Sequence, residues 1–314
     1  STHKISKKQN VAVSGGIFFA ICTSLIILYF DLPNLFFYLL TIFFIGLLSD
    51  LEILNSPKFR LIVQFIFIFF FVILFNLNIS ETRIDIIDNF LHNNIFSLIF
   101  TICCFLVLIN GTNFIDGLNG LFSGYFILVI INLLILLSTE KIILDRELIN
   151  FFFILIPLII FFVFNILGIN FSGDAGAYLL ATIIGYLSIE ISSLNKNDLS
   201  PIFIVILFWY PVFENLFSFI RRTISKNSQV NADKVHLHHL IYYSLLKKIK
   251  FKNKILCNSV SSIVILSYNF LIFLIAINYI NNSIILSSII IVNIFVYNYV
   301  YLKLFVKLNL VKNN

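Results

Sequence analysis

The chain has 314 residues, 60% of them hydrophobic and only 11% charged, with a formal net charge of +6 and a mean hydropathy of +1.03. Soluble domains carry about 25% charged residues, and a water-soluble fold of this length could not hide so much apolar surface, so the bilayer is the solvent. Apolar segments recur along the whole chain, which excludes a lone secretory signal peptide as their source.

Ten such segments follow one another at residues 11–30, 32–49, 59–79, 95–110, 118–138, 148–169, 176–193, 200–219, 255–279 and 283–306. Each is long enough to cross about 30 Å of hydrocarbon or falls a few residues short. Lipid offers no partner to free backbone groups, and no polar/apolar alternation suggests a barrel, so the segments read as helices. The expected fold is an all-α, polytopic membrane helix bundle. Pro33 opens the second segment, where proline is tolerated; Pro157 and Pro211 lie inside segments and predict kinks. The chain starts at Ser1 and has no Met, so an N-terminal piece is expected to be missing from an otherwise single membrane-embedded domain spanning 1–314.

Lys and Arg set the expected orientation. With the N-terminus cytoplasmic, 17 of the 21 basic residues fall on the inner side, and Arg83, Lys141, Arg146 and Lys196 fall outside. The positive charge therefore reflects topology and anionic membrane lipid rather than nucleic acid. Cys22, Cys103, Cys104 and Cys257 all lie in apolar segments without metal-type spacing and read as small buried hydrophobes.

In this orientation five polar stretches share the cytoplasmic face. They are "HKISKKQNVAVSGG" (3–16), "GLLSDLEILNSPKFR" (46–60), "NGTNFIDGLNGL" (110–121), "FNILGINFSGDAGA" (164–177) and "RRTISKNSQVNADKVHLHH" (221–239). The corresponding cytoplasmic loops, which the resemblance described below makes catalytic, are expected at about 1–16, 46–60, 110–121, 164–177 and 220–254. The outer loops carry scattered mixed charge, and bilayer stability does not require the asymmetry. Asp50 ends the second segment, Asp116 lies between two segments, and Asp174 is framed by Gly173 and Gly176. Carboxylates are inexpensive at helix ends, so each could be an ordinary loop residue. Flanking glycines also let backbone approach a ligand and expose N–H groups to anions. Oxygen ligands without cysteine suit a hard cation such as Mg²⁺, with Mn²⁺ as the alternative; Mg²⁺ takes one or two carboxylates and completes its shell with phosphate oxygens.

The segment "HLHH" holds His236, His238 and His239. On a helix, 236 and 239 would share a face while 238 points elsewhere. Zinc lacks a clear fourth ligand. The segment reads either as a solvated positive loop or, with Arg221, Arg222 and Lys234, as an anion site facing the carboxylates. The second arrangement suits a metal-bound diphosphate.

The five stretches, in this order, resemble the polyprenyl-phosphate N-acetylhexosamine-1-phosphate transferases, the WecA/MraY superfamily of glycosyltransferase 4 type. "NGTNFIDGLNGL" resembles the family's Asn-x-x-Asn-x-x-Asp-Gly-(Leu/Ile)-Asp-Gly-Leu segment, "FNILGINFSGDAGA" its Phe-Asn…Phe-x-Gly-Asp-x-Gly segment, and "ADKVHLHHL" its Ala-Asp-Arg-x-His-(Leu/Ile)-His-His signature. "GLLSDLEILNSPKFRLIVQ" resembles the Asp-Asp loop with the helix after it, and "HKISKKQNVAVSGG" is similar to the end of the His…Pro-Thr-Pro…Gly-Gly segment. The likeness covers about residues 3–245, and the "HLHH" form points to the WecA-like branch.

The resemblance implies a bundle of ten or eleven transmembrane helices in the bacterial inner membrane, with its site facing the cytoplasm. It implies transfer of a sugar-1-phosphate from a UDP-N-acetylhexosamine to polyprenyl (undecaprenyl) phosphate, releasing UMP and starting a glycan such as O-antigen, capsule or teichoic acid. A homodimer is compatible with it. It makes Asp174 the best Mg²⁺ ligand and Asp116 a second acidic residue of the site. Asp50 and His236 join Asp116 as catalytic candidates, Asp50 beside the metal or acceptor phosphate. Asn113 and Asn119 would line the nucleotide and sugar-phosphate pocket. His236, His238 and His239 would bind diphosphate with Arg221 and Arg222 in support, and Lys8 would bind phosphate. The chain departs from the pattern at Ser49-Asp50 for Asp-Asp, at Asn119 for Asp, at Glu214-Asn215 for Asp-Thr, and in "VAVSGG", which lacks the prolines. Two alternatives follow: a transporter of a phosphorylated solute, which needs ionisable groups at the midplane, or an inactive homologue acting as a scaffold.

Overall fold

A computed structural model describes residues 14–30, 33–139, 141–224, 235–249 and 254–309. Lys8, Lys234 and most of the 3–16 stretch lie outside these residues. In chain order the helices are α1 Gly15–Tyr29, α2 Pro33–Asp50, α3 Pro57–Leu74, α4 Asp85–Leu91, α5 Asn94–Ile115, α6 Leu121–Ser138, α7 Arg146–Ile149, α8 Leu155–Ile166, α9 Gly173–Leu194, α10 Pro201–Ile224, α11 Leu237–Ile249, α12 Lys254–Ala276 and α13 Ser283–Asn309. A 3₁₀ segment, Asn150–Ile154, joins α7 to α8.

Among the described residues, seven helices are long and apolar enough to cross a membrane, and three shorter apolar ones, Gly15–Tyr29, Leu35–Asp50 and Asn150–Ile166, complete the set. All ten coincide with the segments read from the sequence. Large apolar side chains such as Phe37, Phe70, Ile131, Phe164, Val205 and Phe295 are turned outward, as expected where lipid replaces water around the bundle. The same reason corrects the reading of the cysteines. Only Cys257 is buried, and Cys103 is exposed, because lipid is as apolar as the core and exerts no inward pull on a thiol.

Helix α9 stands at the centre, packed by α1, α2, α5 and α10. Its sequence explains this position: Gly173, Ala175, Gly176, Ala177, Ala181 and Gly185 let neighbouring backbones come close. Gly46 of α2 and Gly16 of α1 both face Ala175, and a Cβ at either would lie 2.4 and 2.7 Å from it. The tight contacts at the N-terminal end of α9 bring the polar ends of α1 and α2 against it.

Proline has different effects at its two internal positions. Pro157 falls in the first turn of α8, directly after the 3₁₀ segment, where its missing N–H has no helical partner to lose. Pro211 lies within α10. Having no N–H, it leaves the Leu207 carbonyl without its helical partner, and the buried Tyr125 hydroxyl donates to that oxygen at 2.8 Å.

Two loops are shorter than the sequence suggests. Helix α5 continues through Asn110–Ile115, so the turn proper begins at Asp116. The 220–254 region contains α11, which packs on α12 and α13. Polar residues at both places conceal helical backbone because they face other protein rather than lipid.

Candidate active site

The site forms at one end of the bundle around the N-terminus of α9. The first N–H groups of a helix have no intrahelical partner, and here other helices supply carboxylates. Asp50, the last residue of α2, accepts from the Asp174 amide at 2.9 Å and the Ala175 amide at 3.0 Å, one with each oxygen. Asp116, which ends α5, accepts from the Gly173 amide at 3.1 Å through Oδ2. Gly173 has φ +70°, a left-handed conformation that glycine adopts at little cost, and this aims its N–H at Asp116. The helix dipole favours both anions.

Asp174 itself points back toward α2 and α3. Its Oδ2 accepts from Arg60 Nη1 at 3.0 Å, from the Ser49 hydroxyl, and from the Tyr178 hydroxyl at 3.5 Å. Arg60 Nη1 also donates to Ser49 Oγ at 2.9 Å. Arg60 reaches this position because Pro57 starts α3 and Ser56 caps it, placing the guanidinium one turn in. The guanidinium thus binds both Ser49, where the resembled family has Asp, and its carboxylate neighbour.

Asp116 is 2% exposed and its Oδ1 has no hydrogen-bond partner. Burial pushes its carboxyl up to about 8, and the charges of Asp50 and Asp174 add to the rise. A buried carboxyl with an unengaged oxygen beside two other carboxylates is a cation-seeking group. Among the described residues, no group of three or more His, Cys, Asp or Glu is gathered as a metal cage. Mg²⁺ does not require one, since it is commonly held by one or two carboxylates with phosphate oxygens and waters. On this test the donor set fits a hard cation at Asp116 and Asp174.

The turn after Asp116 is rigidly held. Gly120, at φ +79°, donates its N–H to Asn165 Oδ1 at 2.8 Å, and the Asn119 N–H donates to Asn258 Oδ1 of α12 at 2.7 Å. Asn119 is buried against Gly168. Asn113 is half-buried on α5, three residues before Asp116 and so on the same side of the helix.

The histidines meet this turn from the other side. A Cβ on Gly117 would lie 3.2 Å from His238 Nε2 and 3.0 Å from His239 Cε1, and the Phe114 and His236 rings are 5.0 Å apart. All three histidines are at most 2% exposed. Contrary to the helical-face reading, His238 does not point away. His236 precedes α11, and its carbonyl accepts the first helical bond from the Leu240 amide at 3.0 Å. From its place just before the helix its ring stacks on His238 at 5.3 Å and 7°, with His239 4.3 Å from His238.

Glu214 of α10, fully buried, meets this cluster. It accepts from the Leu237 amide at 2.8 Å and the Tyr297 hydroxyl at 2.7 Å, and pairs with His236 Nδ1 at 3.3 Å and His238 Nδ1 at 3.4 Å. Arg221 and Arg222 end α10, and the Arg221 guanidinium lies over the Tyr301 ring at 5.9 Å, on the α13 side.

The structure therefore brings Asp50, Asp116, Asp174, Asn113 and Asn119 into one region with His236, His238 and His239, while Arg221 leans toward α13. The sequence reading missed Arg60 and Ser49 as partners of Asp174, Glu214 as a hub, and Asn258. Arg60 had been counted only as an inner-face charge. Asn258 lies in an apolar segment, where nothing marks it.

A cavity of about 410 Å³ lies between α5, α9 and α10. Its walls are almost wholly apolar and include Phe100, Leu108, Gly185, Phe208, Val212 and Leu216. It runs from Asn78–Thr82 at the far end to Leu216, two residues from Glu214.

A family model described as Glycosyl transferase family 4 matches residues 32–192, just over half of the chain. An undecaprenyl-phosphate alpha-N-acetylglucosaminyl 1-phosphate transferase of Thermotoga maritima is 28% identical over 218 residues, which is 69% of this chain and 64% of that protein. The chain thus aligns with less than two thirds of that relative's length.

Proposed function

The chain belongs to glycosyl transferase family 4, and from that premise we propose that it transfers a sugar-1-phosphate, from a UDP-N-acetylhexosamine, to a polyprenyl phosphate such as undecaprenyl phosphate. One observation carries this reading: three carboxylates and three histidines, dispersed between positions 50 and 239, converge at one end of a membrane bundle. A transporter would need its ionisable groups along a midplane path, and these sit at helix ends.

In this reaction an oxygen of the lipid phosphate attacks the sugar-bound phosphorus of the donor. The bond from that phosphorus to the bridging oxygen breaks, UMP leaves with the electron pair, and a lipid-linked diphospho-sugar remains. A phosphate monoester has its second pKa near 6 (roughly), so the nucleophile is ionised at neutral pH and no strong base is needed. Catalysis then rests on positioning and charge. Asp116 and Asp174 would hold Mg²⁺, which when bound would neutralise developing phosphate charge. The histidines would face the diphosphate. Asp50 would keep the N-terminus of α9 in register, and Arg60 would fix the rotamer of Asp174. The apolar cavity beside Leu216 supports a prenyl chain as the acceptor's tail. The excess of Lys and Arg in the segments at the site end supports a cytoplasmic orientation in a bacterial inner membrane, and the product would begin a lipid-linked cell-surface glycan.

The test offers purified protein in undecaprenyl-phosphate-containing bilayers a panel of UDP-amino sugars with Mg²⁺. UMP release and a lipid product of matching mass are expected. Absence of UMP with every donor, from folded protein, would overturn the reading.

A further inference from the structure

The bilayer gives no reason to bury a carboxylate in α10, where an ionised group is costly, yet Glu214 is 0% exposed. Its four partners come from two helices and the segment that leads into one of them: Leu237 N–H and His238 from α11, Tyr297 from α13, and His236 from the approach to α11. Both histidine contacts involve Nδ1, a hydrogen bond for His236 at 3.3 Å and an ion-pair approach for His238 at 3.4 Å. The rings of His236 and His238 are parallel within 7°, so both turn their opposite edges away from Glu214. For His238 that edge is the one that meets Gly117, next to Asp116.

We propose that Glu214 is a positioning residue: by accepting from Nδ1 of His236 and holding its charge against Nδ1 of His238 it fixes their tautomer, and it turns the Nε2 edge of His238 toward the Asp116–Gly117 turn. In water the neutral imidazole carries its proton on either nitrogen, and a carboxylate at one nitrogen decides which. The same carboxylate caps α11 through Leu237, so the helix start and the ring orientations are set together. The transferase reading is needed only for what the Nε2 edge addresses, the donor's diphosphate.

The experiment uses the full chain in lipid nanodiscs with ¹⁵N-labelled histidine, the ring signals being assigned by their loss in His236→Asn and His238→Asn. Wild-type protein should show protonated Nδ1 on both rings. Glu214→Gln should shift at least one ring toward the Nε2–H form and raise the donor KM by about tenfold, the effect of losing one charge-assisted hydrogen bond. Glu214→Asp should recover the Nδ1 signals. Nε2–H forms on both wild-type rings would overturn the proposal even if Glu214→Gln fails to fold. So would a folded Glu214→Gln protein with unchanged ring signals and donor KM. Nδ1-protonated rings in a protein that releases no UMP would support the positioning and count against the transferase reading.

Discussion

Two helix N-termini meet at the site, and each is capped by carboxylates from other helices. At α11 the cap is complete. Both oxygens of Glu214 are engaged, by an amide, a hydroxyl and two imidazoles. At α9 it is not. Asp50 spends both oxygens on amides, but Asp116 spends one and leaves Oδ1 with no partner. The same device serves two ends. The protein finishes one by itself and leaves an oxygen of the other without a hydrogen-bond partner.

The two ends should differ most at Asp116. Asp116→Asn keeps an oxygen for the Gly173 amide and removes only the charge. Turnover, read as UMP release, should fall on the order of 10²–10³-fold, as when one charge-stabilising group of an active site is lost. Thermal stability in EDTA at neutral pH should hold or rise, because the unfolded wild-type carboxyl ionises while the buried one stays protonated, a cost that asparagine does not carry. The pH dependence sharpens this. The Asp116 carboxyl is pushed from 3.8 to about 8, so between those values the folded chain keeps a proton that the unfolded chain has released. Stability should therefore fall as pH rises through that window and level off above it. Without divalent ions, wild type should show this fall and Asp116→Asn should not. Added Mg²⁺ should raise the wild-type midpoint selectively, since binding to the folded state stabilises it. Equal pH profiles for the two proteins would show that Oδ1 is not the open position.

Asp50 should behave in the opposite way. Asp50→Asn has one acceptor for two amides and turns an NH₂ toward the other. That leaves a donor unsatisfied at the start of α9, at a cost of about 1–3 kcal/mol. The loss should appear in the unfolding midpoint whether or not Mg²⁺ is present. A variant that loses activity at unchanged stability would instead make Asp50 a ligand rather than a cap.

Much of this architecture was legible in the sequence, for reasons that differ by region. The ten spans were readable because lipid demands long apolar runs, and each run has a helix beneath it. Asp116, Asp174 and the histidines stood out because polar residues at glycine-rich helix ends have no role in lipid. What stayed hidden depends on contacts between distant helices. Glu214 looked like a departure from a motif, and only the fold reveals that α10 carries it to α11 and α13. Arg60 was one charge among the inner-face cations until Pro57 and Ser56 fixed the start of α3. His238 was misassigned because helical periodicity was applied across a helix start, with His236 on the outside.

The smallest effect belongs to the finished cap. Tyr297→Phe removes one hydroxyl from Glu214 Oε2 and leaves an apolar ring in a buried, aromatic setting between Phe213 and Phe217. The Leu237 amide, His236 and the His238 ion-pair contact remain on Glu214, so the cost should be about 1 kcal/mol, the net worth of one hydrogen bond. UMP release should stay within about twofold of wild type, because 1.4 kcal/mol is needed for a tenfold change (about that figure at 25 °C) and most of the loss falls on the fold rather than the reaction. The measurement is a denaturant midpoint beside a turnover assay on the same preparation. A large loss of turnover at unchanged stability would mean that Glu214 depends on Tyr297 to hold the histidines, and that the α11 end is as finely balanced as the α9 end.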